Sequence, residues 1–261
     1  MNLKIKTEKE IELLRQNNLL VSRTLAEVAK LIKPGVSTLE LDKRAEEFIL
    51  DNDAVPGFKG YHGFPNTLCA SVNSQVVHGI PSAYQLKDGD IISVDCGVKK
   101  DGYFGDTAFT FEVGEVDEKV KKLLKVTRES LWEGVKQAIS GKRVGDIGFA
   151  VQNYAEKNGF SVVREMVGHG LGSALHEEPE VPNYGRRGKG AKLPAGLVIC
   201  IEPMINLGKK EIVQEKDGWT IRTLDNQPSA HFEFALVVRK GKAEVLSTFD
   251  YIDEVLNNKN T

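Results

Sequence analysis

Ile91-Ile92-Ser93-Val94-Asp95-Cys96-Gly97-Val98-Lys99-Lys100-Asp101-Gly102-Tyr103-Phe104-Gly105-Asp106-Thr107-Ala108-Phe109 reads as two β-strands joined at Asp101-Gly102. Asp-Gly is a strong signal for a two-residue hairpin turn. With that turn Lys100 pairs with Tyr103, Asp95 faces Ala108, and Asp106 lies two positions away on the same face. The two carboxylates become diagonal neighbours, roughly 7–8 Å apart at the backbone and closer at their tips. Like charges that close repel unless a cation lies between them. The hairpin therefore reads as one wall of a metal site.

Further ligands are available outside the hairpin. Gly168-His169-Gly170-Leu171-Gly172 sets an imidazole in a glycine-rich turn, where little else can crowd it. Ile199-Cys200-Ile201-Glu202-Pro203 and Phe232-Glu233-Phe234-Ala235-Leu236 each put a carboxylate in an apolar strand, where an unpaired glutamate is costly. Carboxylates with a histidine suit manganese, iron, cobalt or zinc. Two such ions about 3.5–4 Å apart turn a bridging water into hydroxide near neutral pH.

Working outward, the chain repeats a plan. Thr7 with Glu10 forms a capping box for a helix that Pro34-Gly35 stops, and Ser37 with Glu40 opens another that fades at Asp51-Asn52-Asp53. Short β-rich segments fill 67–113. Asp117 then caps a helix through Ile139, Gly141 ends it, and Asp146 caps one that closes at Asn158-Gly159. Strands are expected at 161–165, 197–206, 210–223 and 231–247. Val36-Ser37-Thr38-Leu39 resembles Val144-Gly145-Asp146-Ile147, 108 residues on. The expectation is an α+β fold of one domain, 1–261, with pseudo-twofold halves at about 1–113 and 114–250 and a site at their junction.

Composition narrows the function. The chain has 261 residues, 41% apolar and 28% charged, with a net charge of -2, which argues against wholesale coating of nucleic acid. Cys69, Cys96 and Cys200 form no CxxC pair, so neither a disulfide framework nor a thiolate zinc site is indicated. The start, Met1 to Lys6, has no signal-peptide run, and no later stretch could span a bilayer. A cytoplasmic location and no membrane partner are expected.

Taken together, Asp95, Asp106, His169, Glu202 and Glu233 resemble, in type and order, the five metal ligands of the pita-bread metallopeptidases. Met166 to Tyr184, with Gly168-His169-Gly170 and His176-Glu177-Glu178-Pro179, is similar to the signature of type I methionine aminopeptidases. Tyr61-His62-Gly63-Phe64-Pro65, Val77-His78-Gly79-Ile80-Pro81 and Asp217-Gly218-Trp219 add to the likeness. Only 25 residues separate His176 from Glu202, too few for the helical insertion of the type II enzymes.

The resemblance implies a pita-bread fold, with a curved antiparallel sheet around a dinuclear site, and an aminopeptidase that removes the initiator methionine from nascent chains, preferring small second residues. The five ligands would hold two divalent ions (Co, Mn, Fe or Zn) and the attacking hydroxide between them, with the substrate α-amine on one ion and Glu202 as general base. His78 would hold the scissile amide side, and His176 would hydrogen-bond the carbonyl oxygen. Tyr61, Phe64, Cys69 and Trp219 match positions lining the methionine pocket, with His62 and Leu175 contributing. Asn73 and Ser229 match positions near a monovalent cation. Family precedent is a monomer.

Several residues also have plainer readings. Many relatives carry a basic residue where Ser173 stands and an aromatic where Leu175 stands. Cys96 and Cys200 read as core, and His231 as a structural histidine on the face opposite Phe232. Lys209, Lys210, Lys216 and Arg222 read as a basic hairpin tip for transient contact with ribosomal RNA phosphates. Two alternatives remain: a proline-directed peptidase (prolidase or aminopeptidase P) on the same metal core, which usually carries a substantial N-terminal domain, and a non-catalytic binding protein of this fold, which would be expected to have lost ligands.

Overall fold

The structure, a computed structural model, describes residues 3–259. Met1, Asn2, Asn260 and Thr261, which the single-domain reading includes, lie outside the described residues.

Helix α1 (Glu8–Leu31) starts where Thr7 and Glu10 exchange capping bonds, and α2 (Thr38–Asp51) starts likewise at Ser37 and Glu40. Five strands follow: β1 (Val55–Pro56), β2 (Leu68–Val72), β3 (Gln75–Val77), β4 (Ile91–Lys100) and β5 (Tyr103–Glu112). The second half opens with α3 (Glu118–Val135), capped by Asp117, and α4 (Val144–Lys157). Short strands come next: β6 (Ser161–Val162), β7 (Gly168–Gly170), β8 (Glu177–Val181), β9 (Val198–Ile201) and β10 (Met204–Asn206). Then come β11 (Ile212–Gln214), β12 (Ile221–Thr223), β13 (Ser229–His231), β14 (Phe234–Val237), β15 (Glu244–Val245) and helix α5 (Asp250–Lys259).

Two helix boundaries differ from the sequence reading. Helix α3 stops at Val135 rather than Ile139, because Ile139 forms a β-bridge with Arg239 and the Ser140 N–H donates to the Arg239 carbonyl. Asp146 is not the cap of α4 but lies in its first turn, where its carboxylate accepts the Arg143 N–H at 2.9 Å. The Gly35 N–H donates to the Leu86 carbonyl and the Gly141 N–H to the Leu193 carbonyl. Ser37 bridges Gln85, as Arg143 bridges Lys192. Gly35-Val36-Ser37 and Gly141-Lys142-Arg143 thus make similar contacts.

All strand ladders are antiparallel, but they form four hydrogen-bonded groups rather than one continuous sheet. Strand β4 pairs with β5 on one edge and with β1 and β2 on the other; the remaining orders are β13-β10-β6, β11-β12-β3 and β15-β14-β9-β7-β8. The expected strands 197–206 and 231–247 are each broken. Ile201 pairs with Phe234 in one group and Met204 with His231 in another. Glu202-Pro203 and Phe232-Glu233 occupy the gap, where proline can give no ladder bond. The Glu233 N–H turns instead to the Ala108 carbonyl at 3.0 Å, tying β5 of the first half to the second.

One apolar cluster runs from Leu20 on α1 to Ile252 on α5, drawing on both halves. A second one, containing Phe58, Phe64, Cys69 and Leu175, backs the cleft described below. Helix α1 lies directly on β5: a Cβ at Gly105 would sit 2.6 Å from the Asn17 carbonyl carbon. That closeness lets Asn18 Oδ1 accept the Asp106 N–H at 3.0 Å. Gly105→Ala should lower stability by about 1–3 kcal/mol, the usual range for overpacking, read as a shifted urea midpoint. An unchanged midpoint would mean that α1 can retreat without cost.

Candidate metal centre

The hairpin register is the one expected. Lys100 pairs with Tyr103, Asp95 with Ala108 and Gly97 with Asp106, and Asp101 and Gly102 both take positive φ, as a type I′ turn requires. Asp95 and Asp106 consequently share a face.

Opposite them stand the residues of the second half. His169 is on β7, a strand rather than the turn expected. Its flanking glycines do not keep the space empty; neighbouring backbone fills it. A Cβ at Gly168 would meet the Cys200 carbonyl oxygen at 2.3 Å, and one at Gly170 the Glu178 carbonyl oxygen at 2.4 Å. The His169 Nδ1–H donates to the Gly170 carbonyl at 2.9 Å. The other nitrogen, Nε2, then carries a lone pair and points at carboxylates, 3.5 Å from Glu202 Oε1 and 3.7 Å from Asp106 Oδ2. A lone pair facing anions is repulsive unless a proton or a metal cation sits between them. That backbone-anchored tautomer is also the usual arrangement of a metal-ligating histidine.

The carboxylates carry the same message. Asp95 Oδ1, Asp106 Oδ1 and Glu233 Oε1 are buried without a hydrogen-bond partner among the described residues. Burial raises Asp95 to about 6. It also raises Asp106, Glu202 and Glu233 well above the usual carboxylate range, reinforced by the other carboxylates. Burial holds His169 down to about 3 and His78 to about 4, so both are neutral near pH 7. Oxygen and imidazole donors with orphaned lone pairs fit divalent cations of the hard or borderline kind.

Cys200 was read as plain core. It is fully buried, yet its sulfur and donor atoms of Asp106, His169 and Glu233 all lie within 4.8 Å of one another. Burial keeps the thiol protonated, so it stands beside the Glu233 carboxylate as a neutral neighbour. Sequence reasoning missed a second neighbour, His231, which is 1% exposed with Nε2 3.6 Å from Glu202 Oε2. Strand alternation held the signal, since His231 and Glu233 share a face.

The carboxylates form the floor of a cleft of about 560 Å³. Tyr61, His62, Phe64, Cys69, His78, Leu175, His176 and Trp219 all line it, as expected, joined by Phe58, Val77 and Met204. Phe64 and Trp219 meet edge to face at 5.2 Å. The Tyr61 hydroxyl lies 2.9 Å from His176 Nδ1. The loop carrying His176 is anchored by the buried Lys6–Glu177 ion pair at 2.6 Å.

Two other expected groups lie elsewhere. Asn73 and Ser229 are brought together, with the Ser229 N–H donating to the Asn73 carbonyl at 2.9 Å, but neither lines the cleft. The four cations expected at one basic tip are dispersed. Lys216 is at the β11–β12 turn, Lys209 and Lys210 precede β11 at its other end, and Arg222 on β12 is engaged by Glu215 and Asn226.

The sequence profile of metallopeptidase family M24 matches residues 12–240. The chain is 48% identical over 243 residues to a methionine aminopeptidase of Clostridium perfringens (strain 13 / Type A), covering 93% of this chain and 98% of that one. It is 47% identical over 242 residues to methionine aminopeptidase 1 of Bacillus subtilis (strain 168), with the same coverage. The crystal structure of methionine aminopeptidase from Rickettsia prowazekii superposes with a TM-score of 0.93 at 40% identity, covering 95% of this chain and 100% of that one. An Xaa-Pro dipeptidase from Bacillus anthracis shares the fold at 21% identity and TM-score 0.75, with 62% of its chain covered. The architecture is the pita-bread fold that the resemblance implied.

Stability should report the crowded charge. Above about pH 7.5 His78, His169, His176 and His231, which burial lowers in the folded state, are neutral both folded and unfolded. The raised carboxylates then hold protons in the folded state that the unfolded chain has released, so metal-free stability falls as pH rises. Manganese should remove that slope and release protons on binding, because its ligands must be ionised. Calorimetric titration in two buffers of different ionisation enthalpy, beside thermal melts at several pH values, measures both. A flat metal-free profile above about pH 7.5 would count against the buried carboxylate cluster.

Proposed function

The chain belongs to metallopeptidase family M24, and from that premise we propose that it is a methionyl aminopeptidase removing the initiator methionine from nascent proteins. The observation that carries this reading is the His169 Nε2 lone pair facing Glu202 and Asp106 at the floor of an apolar cleft. Asp95, Asp106, His169, Glu202 and Glu233 would hold two divalent ions, drawn from cobalt, manganese, iron or zinc. When bound, such ions supply Lewis-acid activation of water and of the scissile carbonyl.

The chain's own residues do the rest. Phe58, Tyr61, Phe64, Cys69, Leu175 and Trp219 give the methionine side chain an apolar and polarisable enclosure. Leu175 keeps that wall apolar where relatives carry an aromatic. Glu202, with a carboxyl raised by burial, is suited to take a proton from the attacking water near neutral pH. His176 donates to the carbonyl oxygen as negative charge develops there. His78, held neutral at a left-handed backbone position, takes the leaving-amide side. Small second residues would be preferred beside these two imidazoles.

We further propose that the whole chain acts as one catalytic domain of two pseudo-twofold halves, monomeric and cytoplasmic, where nascent chains emerge. No helix among the described residues is long and apolar enough to cross a membrane. Asn73 and Ser229 would hold a monovalent cation through backbone carbonyls. Transient ribosome contact would fall to Lys209 and Lys210, which are exposed, rather than to a single basic tip.

A Met-Ala-Ser peptide should be cleaved after its methionine, while Xaa-Pro peptides should not; chelation should stop turnover and re-added metal restore it. His169→Ala should lose metal. His176→Ala should keep its metal while kcat falls by about 10²–10³ and KM moves much less. Metal analysis beside steady-state kinetics decides between these roles. Equal metal loss in both variants would show that the division is wrong.

A further inference from the structure

His231 has a buried ring whose functional nitrogen has no partner. The residue is 1% exposed, and Nε2 finds no hydrogen bond among the described residues. A polar nitrogen left in that state costs free energy that an apolar side chain of similar size would not. The backbone allows the ring little freedom. His231 pairs with Met204 across β10 and β13. Thr110 Oγ1 accepts the His231 N–H at 2.9 Å and donates to its carbonyl at 2.7 Å.

Glu202 presents a carboxylate oxygen to that nitrogen. Its Oε2 lies 3.6 Å from His231 Nε2, while its Oε1 lies 3.5 Å from His169 Nε2. The carboxylate is thus bracketed by two imidazoles on different strands. They are not equivalent: His169 has its proton committed to the Gly170 carbonyl and turns a lone pair inward. The 3.6 Å gap is roughly half an ångström beyond an ordinary N–H···O bond, within the reach of a side-chain adjustment at Glu202. No backbone ladder holds Glu202 at the break between β9 and β10, so its direction depends on its side-chain neighbours.

We propose that His231 is a positioning residue for Glu202: its Nε2–H grips Oε2 and turns the other carboxylate oxygen toward the metal and the attacking water. The assignment rests on the aminopeptidase reading for its catalytic consequence, but not for its effect on the carboxylate. Partners behind a ligand typically change metal affinity or activity by 10–100-fold. His231 acts from behind the cleft wall, so substrate binding is little affected.

The test uses full-length protein, chelator-treated and titrated with Mn²⁺ by calorimetry, then assayed on Met-Ala-Ser peptide at saturating metal. His231→Leu should bind the same number of ions with affinity weaker by about 10–100-fold, and kcat should fall with KM within a few-fold. His231→Gln, whose carboxamide still donates, should recover most of both. A purely structural residue would lower the melting temperature in both variants and leave affinity and kcat alone, overturning the proposal. Loss of one ion equivalent in His231→Leu would overturn it too, by making His231 a ligand. Should the leucine variant not fold, His231→Gln against the shorter His231→Asn decides: a functional glutamine with an impaired asparagine supports the grip, and equal behaviour refutes it. If wild-type protein left the peptide intact while the Mn²⁺ affinities still separated the variants, the aminopeptidase reading would fail and the grip on Glu202 would stand.

Discussion

Four carboxylates from four chain positions are buried within reach of one another, and this mutual repulsion is the constraint around which the molecule is arranged. Desolvating a carboxylate carries an effective penalty on the order of several kcal/mol per ion, and bringing Asp95, Asp106, Glu202 and Glu233 together adds to it. Only proton uptake or a shared cation relieves the strain. The backbone must meanwhile hold the groups against their tendency to part. The Asp101-Gly102 turn fixes two of them through a ladder of ten residue pairs. The Glu233 N–H is held by the Ala108 carbonyl, opposite Asp95 in the hairpin ladder. The core spanning both halves supplies the compensating burial.

The strand breaks follow from the same constraint. A glutamate inside an unbroken ladder would have its backbone paired in one sheet plane and its side chain alternating with strand neighbours. At Glu202-Pro203 and Phe232-Glu233 the chain instead leaves one hydrogen-bonded group and enters another. The two glutamates are released from a common pleat and can converge on the aspartates from the other side. Proline at 203 makes the first break permanent, since it has no N–H to return to the ladder.

What the sequence disclosed divides along the range of the interactions. The hairpin was legible to the residue because an Asp-Gly turn sets register locally and strand alternation does the rest. Capping boxes at Thr7 and Ser37 placed two helix starts for the same reason. The end of α3 was not legible: residues 136–139 could continue a helix, and only the distant Arg239 draws Ile139 and Ser140 away. From the sequence Cys200 reads as core and His231 as a structural histidine, because their importance lies in what faces them across sheets. The glycines beside His169 were noticed, but their purpose was inverted. They admit the Cys200 and Glu178 carbonyls rather than leaving room, and no local pattern distinguishes crowding from space. The scattered lysines show the opposite error, in which nearness along a hairpin was taken for nearness at its tip.

Histidine usage gives the last step. The chain has five histidines, and all of them gather here: four line the cleft, and His231 stands behind its wall. Among the described residues no lysine or arginine lines the cleft with them. Burial lowers His78, His169, His176 and His231, so at neutral pH they contribute lone pairs and N–H groups but no positive charge. A floor of four buried acids with no cationic side chain beside it among the described residues cannot balance its own charge as the acids ionise. The complement must come from outside, as a metal ion on the floor. The neutrality of the imidazoles is then what keeps the place open: a permanent cation there would satisfy the carboxylates and exclude the ion. Each ring can instead be assigned by which nitrogen carries its proton. His169 turns a lone pair inward, with its proton held by a carbonyl, and His176 and His231 each have a nitrogen available to donate toward an oxygen.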